Sequence, residues 1–183
     1  MTILLSKIDL QDAGAVAEFR AVYERAGYRV LEAAALSGEG VGEVRSLLAG
    51  RRTLVSGNSG VGKSTLIRAI DPSLDIRTGE ISESHRKGRH TTTFSTMYPL
   101  SEGGAVIDTP GIKGFGLIDI DDAELWHYFP EMLRVASGCR FYNCTHTHEP
   151  GCAVVEAVRS GEIALARYES YLKMLDEDDK YRK

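Results

Sequence analysis

The 183 residues are 43% hydrophobic and 26% charged, with a net charge of −4, the make-up of an ordinary globular chain with one substantial domain and a small appendage. No apolar stretch approaches the roughly 18 residues needed to cross a bilayer, and the first residues lack the charged start and apolar core of a signal peptide. These features exclude membrane and secreted classes, set the expectation of a cytoplasmic chain, and leave only local basic patches for nucleic acid.

Ile3–Leu5 is a short apolar run expected as a strand. Val16, Phe19, Val22, Tyr23 and Ala26 then recur at helical spacing, with Gly27 where a C-terminal cap belongs. A second strand is expected over Tyr28–Ala34, and Val41, Val44, Leu47 and Leu48 mark a short helix closed by Gly50. Thr53–Val55 is a strand that runs into a glycine-rich turn and an apolar helix, Ser64–Ile70. Strand alternating with helix implies an α/β fold with a mostly parallel sheet covered on both faces. Asp71–His90 is polar and aperiodic, a long loop of the kind that is more often functional than accidental. Further strands are expected around Phe94–Leu100 and Ala105–Ile107. From about Asp121 the pattern is helical, interrupted by a cysteine segment. It ends in a helix with Tyr168, Tyr171, Leu172 and Leu175 on one face, and a charged tail, Asp176–Lys183, expected to fray. The expected division is a nucleotide-binding domain over residues 1–120 and a small helical domain over 121–183.

Gly57-Asn58-Ser59-Gly60-Val61-Gly62-Lys63-Ser64 fits G-x-x-x-x-G-K-[ST] between a predicted strand and a predicted helix. Glycines let backbone N–H groups turn inward around phosphate oxygens, and the helix N-terminus adds a favourable dipole. Lys63 is expected to reach the β- and γ-phosphates and Ser64 to bind Mg²⁺, with Asn58, Ser59, Gly60, Val61, Gly62 and Thr65 completing the cradle. Asp108-Thr109-Pro110-Gly111 follows the strand Ala105–Ile107. There a carboxylate holds Mg²⁺ and the glycine offers its N–H to the γ-phosphate, so Asp108 and Gly111 join the expected site.

Ser6-Lys7-Ile8-Asp9 resembles the [NT]-K-x-D guanine-reading motif. The Asp9 carboxylate can accept both the N1–H and N2–H hydrogens of guanine, a donor pair that adenine lacks. Alone, the segment reads as a strand end and helix cap; beside a phosphate cradle it reads as a base site. In a conventional GTPase this motif follows the cradle and the D-x-x-G, whereas here it comes first. That order implies a circularly permuted GTPase.

Cys139, Cys144 and Cys152 fall in one 14-residue window. An odd count closes no disulfide framework, so the cluster points to a metal. Cys139-x4-Cys144-x-His146-x5-Cys152 offers three thiolates and one imidazole, the set of a closed structural zinc site, with His148 an alternative to His146.

The segments G-N-S-G-V-G-K-S-T-L, G-R-H-T-T-T, D-T-P-G-I-K-G-F-G-L and C-R-F-Y-N-C-T-H-T-H-E-P-G-C-A-V, in this order, closely resemble those of the ribosome small-subunit-dependent GTPases of the RsgA/YjeQ type. The resemblance runs through essentially the whole chain. It implies a GTPase that binds the small (30S) ribosomal subunit and its rRNA late in assembly, with hydrolysis stimulated by the subunit. It also implies one structural zinc on Cys139, Cys144, His146 and Cys152; GTP and GDP are the expected nucleotide partners, and a monomer is expected. Family members usually carry an OB-fold domain ahead of the GTPase domain, whereas these residues start just before Ser6; a truncated or natural short form is the expectation. Ser6 stands where Asn or Thr is usual, and Ala34-Ala35 where serine commonly lines the base pocket.

Ile112 occupies the position after Gly111 where a conventional GTPase supplies a water-orienting glutamine. An isoleucine cannot hydrogen-bond water, and His90 is the candidate to do so; the family resemblance implies the same catalytic histidine. Thr92 is expected as the switch threonine on Mg²⁺, with Thr91 the adjacent alternative. His85–His90 is the densest basic run and fits a contact to ribosomal phosphates. A zinc-stabilised RNA-binding module that uses GTP only as a conformational ligand is the competing expectation.

Overall fold

The structure, a computed structural model, describes residues 1–76, 95–109 and 120–181, with residues 177–181 as backbone. The elements are β1 (Thr2–Ser6), α1 (Ala13–Arg25), β2 (Arg29–Ala33), α2 (Val41–Leu48), β3 (Arg52–Val55), α3 (Lys63–Ile70), β4 (Thr96–Pro99), β5 (Ala105–Asp108), α4 (Pro130–Val135), α5 (Ala153–Arg159) and α6 (Leu165–Tyr181).

Local chemistry sets the boundaries. The Asp12 carboxylate accepts from the Gly14 and Ala15 N–H groups and so starts α1. Gly27, at φ 98°, closes it in the left-handed region that glycine enters without a Cβ clash. α2 buries Val41, Val44 and Leu48. The Arg45 side chain reaches from α2 to the Ile70 and Ala69 carbonyls, satisfying the end of α3.

β1 and β2 form a two-stranded sheet, and β3, β5 and β4 a three-stranded one in that order. β3 runs parallel to β5 with Val55 opposite Asp108, while β4 runs antiparallel to β5 with Thr96 opposite Asp108. The three-stranded sheet thus carries β4 as an antiparallel edge strand on a parallel pair. The cause is the short link between β4 and β5, since a tight turn joins only antiparallel neighbours and a parallel pair needs a crossover. In that turn Gly104 sits at φ 89°, and any Cβ there would run into the Arg51 backbone. Asp71, just past α3, accepts from the Ser73 hydroxyl at 2.6 Å and from the Ser101 N–H at 2.7 Å. These bonds, the Ser73 hydroxyl first, hold its carboxyl down at about 2 and pin the turn to the helix end.

The described residues form two compact units. One comprises Leu4–Val16 and the residues from Leu31 to Thr109, around a core that includes Leu31, Val44, Leu66, Ile67 and Val106. The other comprises Met1–Ile3, Ala17–Val30 and the residues from Ile120 onward, around Leu125, Phe129, Met132, Val154, Ile163 and Tyr171. The second unit thus draws in most of α1 as well as the C-terminal helices. Arg134 donates to the Ala26 and Arg25 carbonyls, and Arg25 to the Gly161 carbonyl at 2.8 Å. The Arg167 guanidinium lies over the Phe129, Tyr23 and Tyr28 rings while its Nε donates to buried Glu131 at 2.7 Å. Leu172, expected on the packed face of α6, is 36% exposed, and the tail expected to fray is helical through Tyr181.

Candidate nucleotide site and metal centre

The parallel pairing of β3 and β5 brings two motifs to one edge. The chain leaves β3 into Gly57–Gly62, and α3 begins at Lys63 with Gly62 at φ 97°. Ligand sites in such sheets form at the carboxyl ends of parallel strands. Thr109 fixes the end of β5 there, its N–H and hydroxyl both donating to the Val55 carbonyl, at 3.3 and 3.0 Å. Asp108 then lies with Oδ2 3.5 Å from the Ser64 hydroxyl. Its Oδ1 is buried without a hydrogen-bond partner. Burial raises the Asp108 carboxyl above its ordinary range, an effect that Lys63 and the Ser64 hydroxyl offset in part. A buried carboxylate oxygen beside a hydroxyl, with no hydrogen-bond partner among the described residues, fits a divalent cation.

Lys63 Nζ donates to the Gly57 carbonyl at 2.7 Å and the Asn58 carbonyl at 3.1 Å, so the cation is held over its own loop. Asn58, Ser59, Gly60 and Val61 are exposed along the loop, and Ser64 and Thr65 are half-buried in the first turn of α3.

The N-terminal motif reaches the same loop. Ser6 Oγ donates to the Val61 carbonyl at 2.7 Å, and Lys7 Nζ to the Gly60 carbonyl at 2.8 Å. Lys7 has φ 60°, an uncommon value for a residue with a side chain. A Cβ at Gly62 would come within 3.3 Å of Ser6 Oγ and 3.4 Å of the Lys7 stem, so the two segments meet side by side. Ser6 thus uses its hydroxyl as a tether to the cradle. Asp9 is exposed in the single 3-10 turn Ile8–Leu10. The Ala34 N–H donates to the Glu39 carbonyl at 2.9 Å and is not available to a base. His90, Thr91, Thr92, Gly111, Ile112 and the basic run His85–His90 lie outside the described residues.

In the second unit Cys139, Cys144, His146 and Cys152 come together with all four ligand atoms within 4.8 Å of one another. His146 Nδ1 is 3.5 Å from Cys139 Sγ and 3.4 Å from Cys152 Sγ, and the two sulfurs are 4.0 Å apart. A tetrahedral ion with sulfur at about 2.3 Å and nitrogen at about 2.0–2.1 Å separates S from N by about 3.5 Å and S from S by about 3.8 Å. The cluster can therefore hold a metal. Backbone N–H groups of Ala153 and Val155 point at Cys139 and Cys152 sulfurs, as thiolates require. His148 is exposed and bonded through Nδ1 to the Thr147 hydroxyl, outside the cluster. Burial pushes the Cys144 thiol up to about 12 and holds the His146 imidazolium below its ordinary range. A metal entering the cluster displaces thiol protons.

Several supporting residues escape sequence reasoning. Tyr168 and Tyr171 read as an apolar helix face, yet their hydroxyls donate to the His146 carbonyl at 2.7 Å and the Thr145 carbonyl at 2.6 Å. The available signal was that buried tyrosines ordinarily find a partner for the hydroxyl. Glu149 gathers the Thr145, Thr147 and His148 N–H groups and the Thr145 hydroxyl. Burial opposes its ionisation, but these bonds outweigh burial and hold the carboxyl well below the usual range. Trp126 stands edge-on to the His146 ring, with centroids 4.9 Å apart.

The chain matches the family model described as RsgA GTPase over residues 1–118. It is 52% identical over 186 residues to the small ribosomal subunit biogenesis GTPase RsgA of Porphyromonas gingivalis, covering 98% of this chain and 59% of that protein. The protein of the same name from Bacteroides fragilis is 50% identical over 185 residues, covering 98% of this chain and 60% of its own length. Among solved structures, YjeQ from Thermotoga maritima superposes with a TM-score of 0.76 at 38% identity, over 96% of this chain and 59% of that one. YloQ, described as a circularly permuted GTPase, gives 0.73 at 25% identity, over 100% of this chain and 58% of that one. The chain thus spans about three-fifths of the length of these relatives.

Proposed function

This chain belongs to the RsgA GTPase family, and on that premise we propose that it binds and hydrolyses GTP in late maturation of the small ribosomal subunit, with the subunit and its rRNA as partners. The observation that carries this reading is the pair of hydrogen bonds from Ser6 and Lys7 to the Val61 and Gly60 carbonyls. They bring a base-reading motif from the N-terminus to a phosphate cradle, as a permuted order requires. In this reading the protein acts as a cytoplasmic monomer, residues 1–120 forming the GTPase domain and 121–183 the metal domain; no helix among the described residues is long and apolar enough to cross a membrane.

Each residue has a task. Backbone N–H groups from Asn58 to Thr65 cradle the phosphates, and Lys63 leaves the Gly57 and Asn58 carbonyls for the β- and γ-phosphates. Ser64, Asp108 and Thr92 hold Mg²⁺, which when bound neutralises charge developing on the phosphates. Gly111 offers its N–H to the γ-phosphate, and His90 holds the attacking water. Asp9 accepts from guanine, with the Lys7 stem against the ring. Ser6 acts by fixing the loop that carries both.

Replacing Asp9 by alanine removes the preference for GTP over ATP, because adenine has no donor pair for that carboxylate to lose. A fluorescent-GDP titration with GTP and ATP as competitors reads this directly. Retention of the preference overturns the base-reading role.

The metal is zinc, one per chain and structural, because three thiolates and an imidazole leave no open position for water. Elemental analysis of the purified protein gives about one zinc per chain, and Cys144→Ser loses it. That variant destabilises the second unit, whose core contains both Cys144 and Cys152, while nucleotide affinity stays near the parent value. A metal-free parent with an intact fold contradicts the assignment.

A further inference from the structure

Arg140, Phe141, Tyr142 and Asn143 stand between the first two ligands of the metal cluster, and all are exposed. Tyr142 is 102% exposed and Phe141 40%. Tyrosine is ordinarily part-buried, because its ring carries a large apolar area. A ring that touches nothing contributes nothing to the core beside it, so folding does not account for Tyr142.

The tip is also anchored. Cys139 and Cys144 fix its ends at the cluster, and the Arg140 N–H donates to the Gly151 carbonyl at 3.0 Å. The Arg140 guanidinium lies over the Phe141 ring, 5.4 Å from its centroid. Its charge is of one sign. Between Cys139 and Cys152 the charged residues are Arg140 and Glu149, and the Glu149 carboxylate is consumed by the Thr145, Thr147 and His148 amides.

Two adjacent aromatic rings with one guanidinium make too small an area for a specific protein interface, which needs roughly 800 Å² from each partner. They match what unpaired nucleotides require, a held aromatic face for a base and a cation for the phosphate. We propose that the tip Arg140–Asn143 is an RNA contact, with Tyr142 stacking on an unpaired base and Arg140 pairing a neighbouring phosphate. The inference rests on the ribosomal reading above for the class of partner.

The test is a fluorescence-anisotropy titration of the whole chain with a labelled single-stranded RNA of about 12 nucleotides, a length within the range one small module covers. Tyr142→Ala weakens binding about 5- to 100-fold, the loss expected for one stacked base, and Tyr142→Phe restores it because the ring suffices. Arg140→Ala weakens binding and lowers the salt dependence by about 0.7 in the log–log slope, the share of one phosphate on a single strand. Zinc content and Trp126 emission stay at parent values in all three variants, since the replaced side chains are exposed. A Tyr142→Ala protein that binds RNA like the parent, a Phe variant as weak as the Ala variant, or a parent without RNA affinity each overturns the proposal. Loss of affinity for intact small subunits with free-RNA affinity unchanged also overturns it and points to a ribosomal protein. Subunit-stimulated phosphate release by the parent, run in parallel, distinguishes failure of this contact from failure of the GTPase reading.

Discussion

Replacing His90 by alanine lowers subunit-stimulated GTP turnover about 10²–10⁴-fold, the contribution of a side chain that positions or polarises the attacking water. Ile112 follows Gly111 and has no side-chain polar atom to offer that water, whereas His90 stands in the segment Gly88–Thr93 with Thr92, the threonine proposed for Mg²⁺, two residues on. In the proposed site ground-state affinity rests on other groups: the cradle around Lys63 and the carboxylate of Asp9. GTP affinity therefore changes little. Loss of kcat with affinity retained is what an interaction made only in the transition state produces. Stimulated phosphate release and a nucleotide titration on the same variant check both halves. Unchanged turnover assigns the water to another residue or to ribosomal RNA, and equal losses in both make His90 a structural part of the loop.

Lys63→Ala abolishes detectable GTP binding. Lys63 is the cation whose Nζ sits over the cradle, 2.7 Å from the Gly57 carbonyl and 3.1 Å from the Asn58 carbonyl. Removing it leaves the β- and γ-phosphates without their side-chain counter-charge and buried Asp108 without the cation that favours its ionised form. Parent-like affinity in a fluorescent-nucleotide titration contradicts the assignment of the cradle.

Where chemistry recurs at fixed spacing, the sequence was legible. The phosphate cradle lies between β3 and α3, and the cysteine spacing marks the residues that converge on one point. The strands expected near Ile3, Tyr28, Thr53 and Ala105 appear as β1, β2, β3 and β5. What escaped depends on contacts between distant segments. The direction of β4 is set by the five-residue link Leu100–Gly104, whose Gly104 packs on Arg51, a partner no local pattern reveals. Most of α1 groups with the C-terminal helices because Arg134 and Arg167 reach residues 108 to 144 positions earlier. Ser6 stands where Asn or Thr is usual, yet its hydroxyl is long enough to reach the Val61 carbonyl because Gly62 keeps the two segments close. Tyr168 and Tyr171 showed helical spacing but not that their hydroxyls hold the ligand loop.

In the proposed reading this permuted arrangement hydrolyses GTP in response to the small ribosomal subunit. Phosphate release from GTP at saturating Mg²⁺, measured with the chain alone and again with purified small subunits, tests it most directly. Slow release is expected from the chain alone, with a marked rise on adding subunits and no such rise with ATP. Binding of GTP without any release, with or without subunits, contradicts it and leaves a zinc-stabilised RNA-binding module for which GTP is only a conformational ligand.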